Sequence, residues 1–295
     1  MRNIIVRTIL WFVAVPAIIA IIVFLPHINH LVLNLIAVAA SAIGAWELAS
    51  LFGRRDARYR ASFVTIPLLG AAIPFTQLLA INGVVPQQAI QIVIYSIAAI
   101  VMLLQVFRRE DEGFAHTLSN TAANITLLLY PGLFLAYLIR LSSFTYATSM
   151  ILTFLCMVFF NDTMAYLSGM LYRSIRERRA ARAGHGWQPR FVLPVSPNKT
   201  LVGFVGGLVM SPVTLVAAHL LVPDRIPGEI GTLVVIGVLV GVATIMGDLI
   251  ESALKRSATS KDSGSLIPGR GGILDSIDSV LYAAPVFYYL LRYAL

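Results

Sequence analysis

The sequence predicts an all-α, polytopic membrane protein with about nine transmembrane helices and a cytoplasmic N-terminus. Three observations carry this reading. Of 295 residues, 58% are hydrophobic and 12% charged, with a mean hydropathy of +0.83, too little polar material to cover a soluble globule of this size. Nine apolar runs approach the ~20 residues that a bilayer requires: Thr8 to Leu25, Leu31 to Leu51, Phe63 to Ile81, Gln88 to Phe107, Ala122 to Leu141, Tyr146 to Gly169, Leu201 to Leu221, Gly231 to Leu249 and Ile277 to Leu295. With the N-terminus inside, 19 of the 22 Lys and Arg residues fall on the cytoplasmic side, leaving only Arg140, Arg225 and Arg292 outside, as the positive-inside rule demands.

The first run follows Arg2 and Arg7 but has no small-residue cleavage site before the next run, so it is read as a retained helix and not a signal peptide. In the second, Glu47 of GAWELAS has no charged neighbour at helical spacing, which suggests a helix-pairing or interface residue. Five runs make an N-terminal transmembrane region, residues 1–145. Residues 146–295 form a C-terminal region with cytoplasmic loops, and the polar residues that break the apolar pattern cluster there.

Asn161 and Asp162, in FFNDTMAYLSG, lie deep in the sixth run. A carboxylate at a helix centre costs roughly 2.5–3.5 kcal/mol on insertion, so the pair is either hydrogen-bonded to a neighbouring helix or functional. Cys156, alone and inside an apolar run, excludes a disulfide framework and a thiolate metal site. The stretch from Tyr172 to Pro197 reads as a short basic amphipathic helix followed by a Gly/Pro-containing loop. The net charge of +8 resides mainly in such loops, which favours anionic membrane lipids over nucleic acid as its partner. In SPNKTLVGFVGG, Ser196, Asn198, Lys199 and Thr200 are donors at a helix start, and Gly203, Gly206 and Gly207 permit close helix approach.

The segment GDLIESALKRS places Asp248, Glu251, Ser252 and Lys255 on one face of a helix leaving the membrane. SATSKDSGSLIPGRGG follows, a glycine-containing loop bearing Lys261, Asp262 and Arg270. Backbone N–H groups freed by Gly269, Gly271 and Gly272, with cations nearby, suit polyphosphate oxygens. Asp275 and Asp278 then lie three apart at the start of the final run. Oxygen-only ligands suit Mg²⁺, which takes one or two protein carboxylates plus substrate phosphates, and no His or Cys stands beside them to make a zinc site.

At these residues the chain resembles the phosphatidate cytidylyltransferase (CDP-diacylglycerol synthase) family. The family's signature S-x-x-K-R-x4-K-D-x-G-x-x-x-P-G-H-G-G-x-x-D-R-x-D is similar to this chain at Ser252, Lys255, Arg256, Lys261, Asp262, Gly264, Pro268, Gly269, Gly271, Gly272, Asp275 and Asp278. GDLxES, N-D-T-x-A-Y and S-P-x-K-T are matched at Gly247 to Ser252, Asn161 to Tyr166 and Ser196 to Thr200. Arg270 replaces the family's His and Ser276 its Arg, which points to a divergent branch.

The resemblance implies a membrane enzyme that condenses CTP with phosphatidic acid, or a related lipid phosphate, giving CDP-diacylglycerol and pyrophosphate at the cytoplasmic face of a bacterial inner membrane. It implies Mg²⁺ on Asp248, Asp275 and Asp278, with room for a second, monovalent cation. Lys255, Arg256, Lys261 and Asp262 complete the catalytic set with those three aspartates, and Ser196, Lys199, Ser252, Gly269, Arg270, Gly271 and Gly272 contact the substrates. It is also compatible with a homodimer. Against it stand a paralogue altered in its acceptor, a CTP-dependent lipid kinase, which would release CDP, a non-catalytic scaffold, and a transporter, which predicts half-helices and internal repeats that the sequence does not show.

Overall fold

The structure, a computed structural model, describes residues 2–55, 65–106, 117–183, 186, 193–269 and 271–294. Among the described residues there is no β-strand, only two isolated bridges, Leu193 with Ser196 and Ile267 with Gly271. Nine helices are described: α1 (Arg2–Phe24), α2 (His27–Arg55), α3 (Thr65–Ile81), α4 (Ala89–Leu103), α5 (Thr117–Leu141), α6 (Ala147–Arg182), α7 (Leu201–Leu221), α8 (Ile230–Ser257) and α9 (Leu274–Ala294). Each apolar run of the sequence falls on one of them. Five, namely α2, α5, α6, α7 and α8, are long and apolar enough to cross a membrane. Large apolar side chains are turned outward on them, as at Leu118 (82% exposed) and Leu221 (81%), the pattern of a protein whose solvent is lipid.

α6 departs from the sequence reading. The apolar run and the basic amphipathic segment form one unbroken helix of 36 residues, about 54 Å long at 1.5 Å per residue. A hydrocarbon core of ~30 Å cannot contain it, so its Arg-rich end projects. Arg58, Arg60, Arg108, Arg109, Arg190 and the site candidate Arg270 lie outside the described residues.

Contacts divide the chain into two units. The first comprises Met1–Thr148 and Leu254–Ile277, the second Ser149–Ala253 and Asp278–Leu295. The first unit therefore holds the glycine-containing loop together with the N-terminal helices. Within it α2 and α3 pack closely at Gly70, where a Cβ would stand 2.7 Å from the Ser41 carbonyl oxygen. The Ser41 hydroxyl lies 2.7 Å from both the Gly70 and the Pro131 carbonyl oxygens. Pro131 sits in a π-helical turn of α5, Leu128–Leu133; a proline has no N–H to give the α-helical ladder, and a π-turn is a usual way of absorbing the loss.

The second unit packs its helices through small residues, as the glycines of SPNKTLVGFVGG lead one to expect. A Cβ on Gly203 would stand 2.7 Å from the Ala165 carbonyl oxygen and one on Gly207 2.8 Å from that of Asn161. Gly237 meets Pro212 with similar intimacy, 2.8 Å to its nitrogen. Association in lipid depends on this kind of backbone approach, since no hydrophobic drive separates helix from solvent there. Phe154 and Phe287 stack inside the unit, ring centroids 5.2 Å apart. Cys156 is a free, half-buried thiol.

Candidate functional site

The second unit encloses a cavity of about 460 Å³ whose lining includes Asn161, Asp162, Arg173, Asn198, Lys199 and Asp248. Its cationic wall is built at the N-terminus of α7. The Ser196 N–H donates to the Leu193 carbonyl at 3.0 Å and the Lys199 N–H to that of Ser196 at 3.1 Å, folding SPNKT into a tight turn. Thr200 ends the turn as the N-cap of α7, accepting from the Gly203 N–H at 3.0 Å, the usual use of a threonine at a helix start. The Arg173 guanidinium, from α6, donates to the Asn198 carbonyl at 2.8 Å.

So held, the Lys199 ammonium makes an ion pair with the Asp248 carboxylate of α8. Both remain partly accessible, with side chains 24% and 36% exposed, so the pair faces the cavity and is available to a ligand. Ser252 Oγ stands 3.4 Å from the other Asp248 oxygen. Ser196 shapes the turn that presents Lys199 and is not among the residues lining the cavity.

Asn161 resolves one alternative left open by the sequence. Fully buried, its amide nitrogen donates to Ser211 Oγ at 2.9 Å and, at 3.4 Å, toward the Gly241 carbonyl, tying α6 to α7 and α8. Its neighbour Asp162 is exposed to the cavity instead. Asp162 Oδ1 lies 3.4 Å from Ser279 Oγ, and the Ser279 N–H donates to Asp278 Oδ1 at 2.6 Å. Gly247, beside Asp248, is the close-approach point for the Asp278 backbone, where a Cβ would stand 2.5 Å from the carbonyl oxygen.

The first unit holds the glycine-containing loop in a different state from the one its composition suggests. Asp275, its side chain 6% exposed, accepts from Lys255 at 2.6 Å on one oxygen. On the other it accepts from the Ser263 N–H at 2.9 Å, Ser263 Oγ at 2.9 Å and the Gly272 N–H at 2.7 Å. The Gly271 N–H is bound to the Ile267 carbonyl at 3.0 Å. The amides of Gly271 and Gly272, read as phosphate donors, are thus consumed inside the loop, and Gly271, at φ +116°, leaves room for Asp275 where a Cβ would overlap its carboxylate. Gly269 also adopts a positive φ, +77°. Lys261, Asp262 and Arg256 are exposed, with Arg256 Nη1 3.5 Å from the Ser260 carbonyl.

Sequence reasoning missed the residue that closes this loop. Glu47, read as a helix-pairing or interface residue, is buried in the first unit and accepts hydrogen bonds from Ser263, Ile273 and Leu274. Its partners are two backbone N–H groups and a hydroxyl more than 200 positions away in the chain, so no spacing of charged side chains announces them. The only signal was the cost of an acid within an apolar run.

Among the described residues no three His, Cys, Asp or Glu side chains converge in a group that could cage a metal ion. Mg²⁺ does not need such a cage, since it retains waters and borrows phosphate oxygens beside one or two carboxylates. The cavity of the second unit, with the carboxylates of Asp162 and Asp248 in its lining and no His or Cys, fits that habit.

Comparison with known proteins decides the lineage: the model of the cytidylyltransferase family matches residues 5–294. The chain belongs to the cytidylyltransferase family. Its relatives include the uncharacterized protein YnbB of Escherichia coli K12, 33% identical over 192 residues, 64% of this chain and 58% of that one. The phosphatidate cytidylyltransferase of Bacillus subtilis is 33% identical over 193 residues, 65% and 62% of the two chains. That of Synechocystis is 46% identical over 99 residues, 32% of each. The alignments with the first two of these relatives span about six-tenths of the relatives' own length.

Proposed function

We propose that this chain is a CTP-dependent phosphatidate cytidylyltransferase, condensing CTP with phosphatidic acid to CDP-diacylglycerol and pyrophosphate. The observation that carries the proposal is the ion pair of Lys199 and Asp248 facing a cavity that Arg173 and Asp162 also line. Cations and carboxylates side by side in one apolar-walled recess suit a ligand that is itself an anion carrying a metal ion.

In the reaction a phosphate oxygen of the lipid attacks the α-phosphorus of CTP. The new P–O bond makes the lipid diphosphate, and the bond from the α-phosphorus to the bridging oxygen breaks, pyrophosphate leaving with the electron pair. The nucleophile is an anion at neutral pH, so the protein need not remove a proton. Its task is to bring two mutually repelling phosphates into line, which is a matter of position and charge. Lys199 and Arg173 supply positive charge at the cavity wall. Asp248 orients the Lys199 ammonium, and the turn from Ser196 to Thr200 fixes its root. When bound with the nucleotide, Mg²⁺ would neutralise the triphosphate, held by Asp248 and Asp162, the two carboxylates of the cavity lining. Asp275, with both oxygens engaged by Lys255, Ser263 and Gly272, serves the loop and not the ion.

The site opens to the cytoplasm of a bacterial inner membrane in this reading, supported by the 19-to-3 partition of basic residues. CTP labelled separately in its α- and γ-phosphates tests the reaction type. With phosphatidic acid and Mg²⁺, the α label is expected in the lipid and the γ label in pyrophosphate. γ label in the lipid with release of CDP would mean phosphoryl transfer and overturn the proposal.

A further inference from the structure

Glu47 is the most deeply buried carboxylate of the first unit among the described residues, 1% exposed, and an ion in that position is tolerable only if donors surround it. Three do. Its Oε1 accepts from the Ile273 N–H at 3.0 Å, and its Oε2 from the Leu274 N–H at 2.8 Å and Ser263 Oγ at 3.1 Å. The two amides stand at the start of α9, where N–H groups have no partner in their own helix and the helix dipole favours an anion. Glu47 therefore caps α9 from another helix. The loop has been shaped around it: a Cβ on Gly264 or on Gly272 would fall on the Glu47 carboxylate. α2 grips the same loop a second time two turns later, where Arg54 donates to Ser260 Oγ at 2.9 Å.

We propose that Glu47 is a positioning residue for the signature loop, holding residues 260–274 in their working conformation from α2 without touching substrate. The N-terminal helices would thereby take part in catalysis through one buried acid. Asp275, in the first turn of α9, accepts from the N–H groups of Ser263 and Gly272, so that Ser263 serves Asp275 through its backbone N–H and Glu47 through its hydroxyl and links the two holds. For its kinetic consequence the inference rests on the cytidylyltransferase reading; the structural consequence stands apart from it.

Amide hydrogen exchange on the full-length, detergent-solubilised protein tests the inference, with kinetics alongside. Glu47→Gln keeps the size but turns an NH₂ toward donors, and Gly264→Ala keeps Glu47 while displacing its carboxylate. Both are expected to speed exchange selectively across residues 263–274, leaving α6 and α7 as in the parent. In the same preparations kcat should fall by roughly 100-fold, the scale of a 1 Å misplacement, with KM for CTP little changed. Unchanged exchange at 263–274 in both variants would overturn the inference. So would a uniform rise through every helix, which would make Glu47 a general packing residue. A parent protein without cytidylyl transfer would sink the reading of function while leaving the exchange result to decide the role of Glu47.

Discussion

Lys199 and Asp275 show how differently two charged residues of one sequence are used. Lys199 is paired with Asp248 and still accessible to a ligand, so removing it takes charge from the cavity wall without opening the core. Lys199→Met is expected to lower cytidylyl transfer by about 100-fold or more, the magnitude typical of losing one preorganised electrostatic contact, with the protein still folded by its thermal transition. Asp275 is buried under four hydrogen bonds, and breaking a buried pair costs about 3–5 kcal/mol. Asp275→Asn should therefore lower the thermal transition, and raising Mg²⁺ should not restore its activity. Asp248→Asn should instead raise the Mg²⁺ concentration needed for half-maximal rate. A Mg²⁺-rescuable Asp275→Asn would return that residue to the metal. That these residues stand out from the apolar pattern was legible in the sequence, because acids at or near apolar runs are costly. The partners each one meets were not, since the donors around Asp275 include backbone N–H groups of Ser263 and Gly272 that side-chain patterns do not reveal.

At the scale of elements, apolar length predicted helices well: Leu201 to Leu221 coincides with α7 end to end. The reading failed where a helix outlasts its apolar run. Nothing in the backbone stops α6 at Gly169, and favourable helix formers carry it on to Arg182. The helix ends themselves make predictions. α8 closes with Thr259 at φ +53°, its next amide, that of Ser260, reaching back to the Lys255 carbonyl at 2.9 Å. This is the left-handed helix stop that normally falls to glycine, and a β-branched residue is strained there. Thr259→Gly is expected to raise stability by up to ~1 kcal/mol, read as a higher unfolding midpoint in detergent. A lower midpoint would show that the threonine side chain contributes more than its strain costs. Gly237→Ala, pressed against the Pro212 backbone, should destabilise by about 1–3 kcal/mol, the usual cost of overpacking, and an unchanged midpoint would deny the close approach of α7 and α8.

For the molecule as a whole, membrane residence was legible from composition, and the family from a signature confined to the last 135 residues. The grouping of residues 254–277 with the N-terminal helices was not, because it is made by Glu47 and Arg54 across the length of the chain. Orientation is tested by a cysteine placed between Arg176 and Arg182 in a Cys156→Ser background. It should react only with reagent on the cytoplasmic side, and labelling from outside would reverse the topology. The activity itself is tested most directly by pyrophosphate release from the purified protein in vesicles containing CTP, Mg²⁺ and phosphatidic acid. The proposal predicts release that requires phosphatidic acid, yields CDP-diacylglycerol in equal amount and is nearly abolished in Lys199→Met. Folded protein that releases no pyrophosphate with phosphatidic acid of any chain length, or a Lys199→Met variant as fast as the parent, would contradict it.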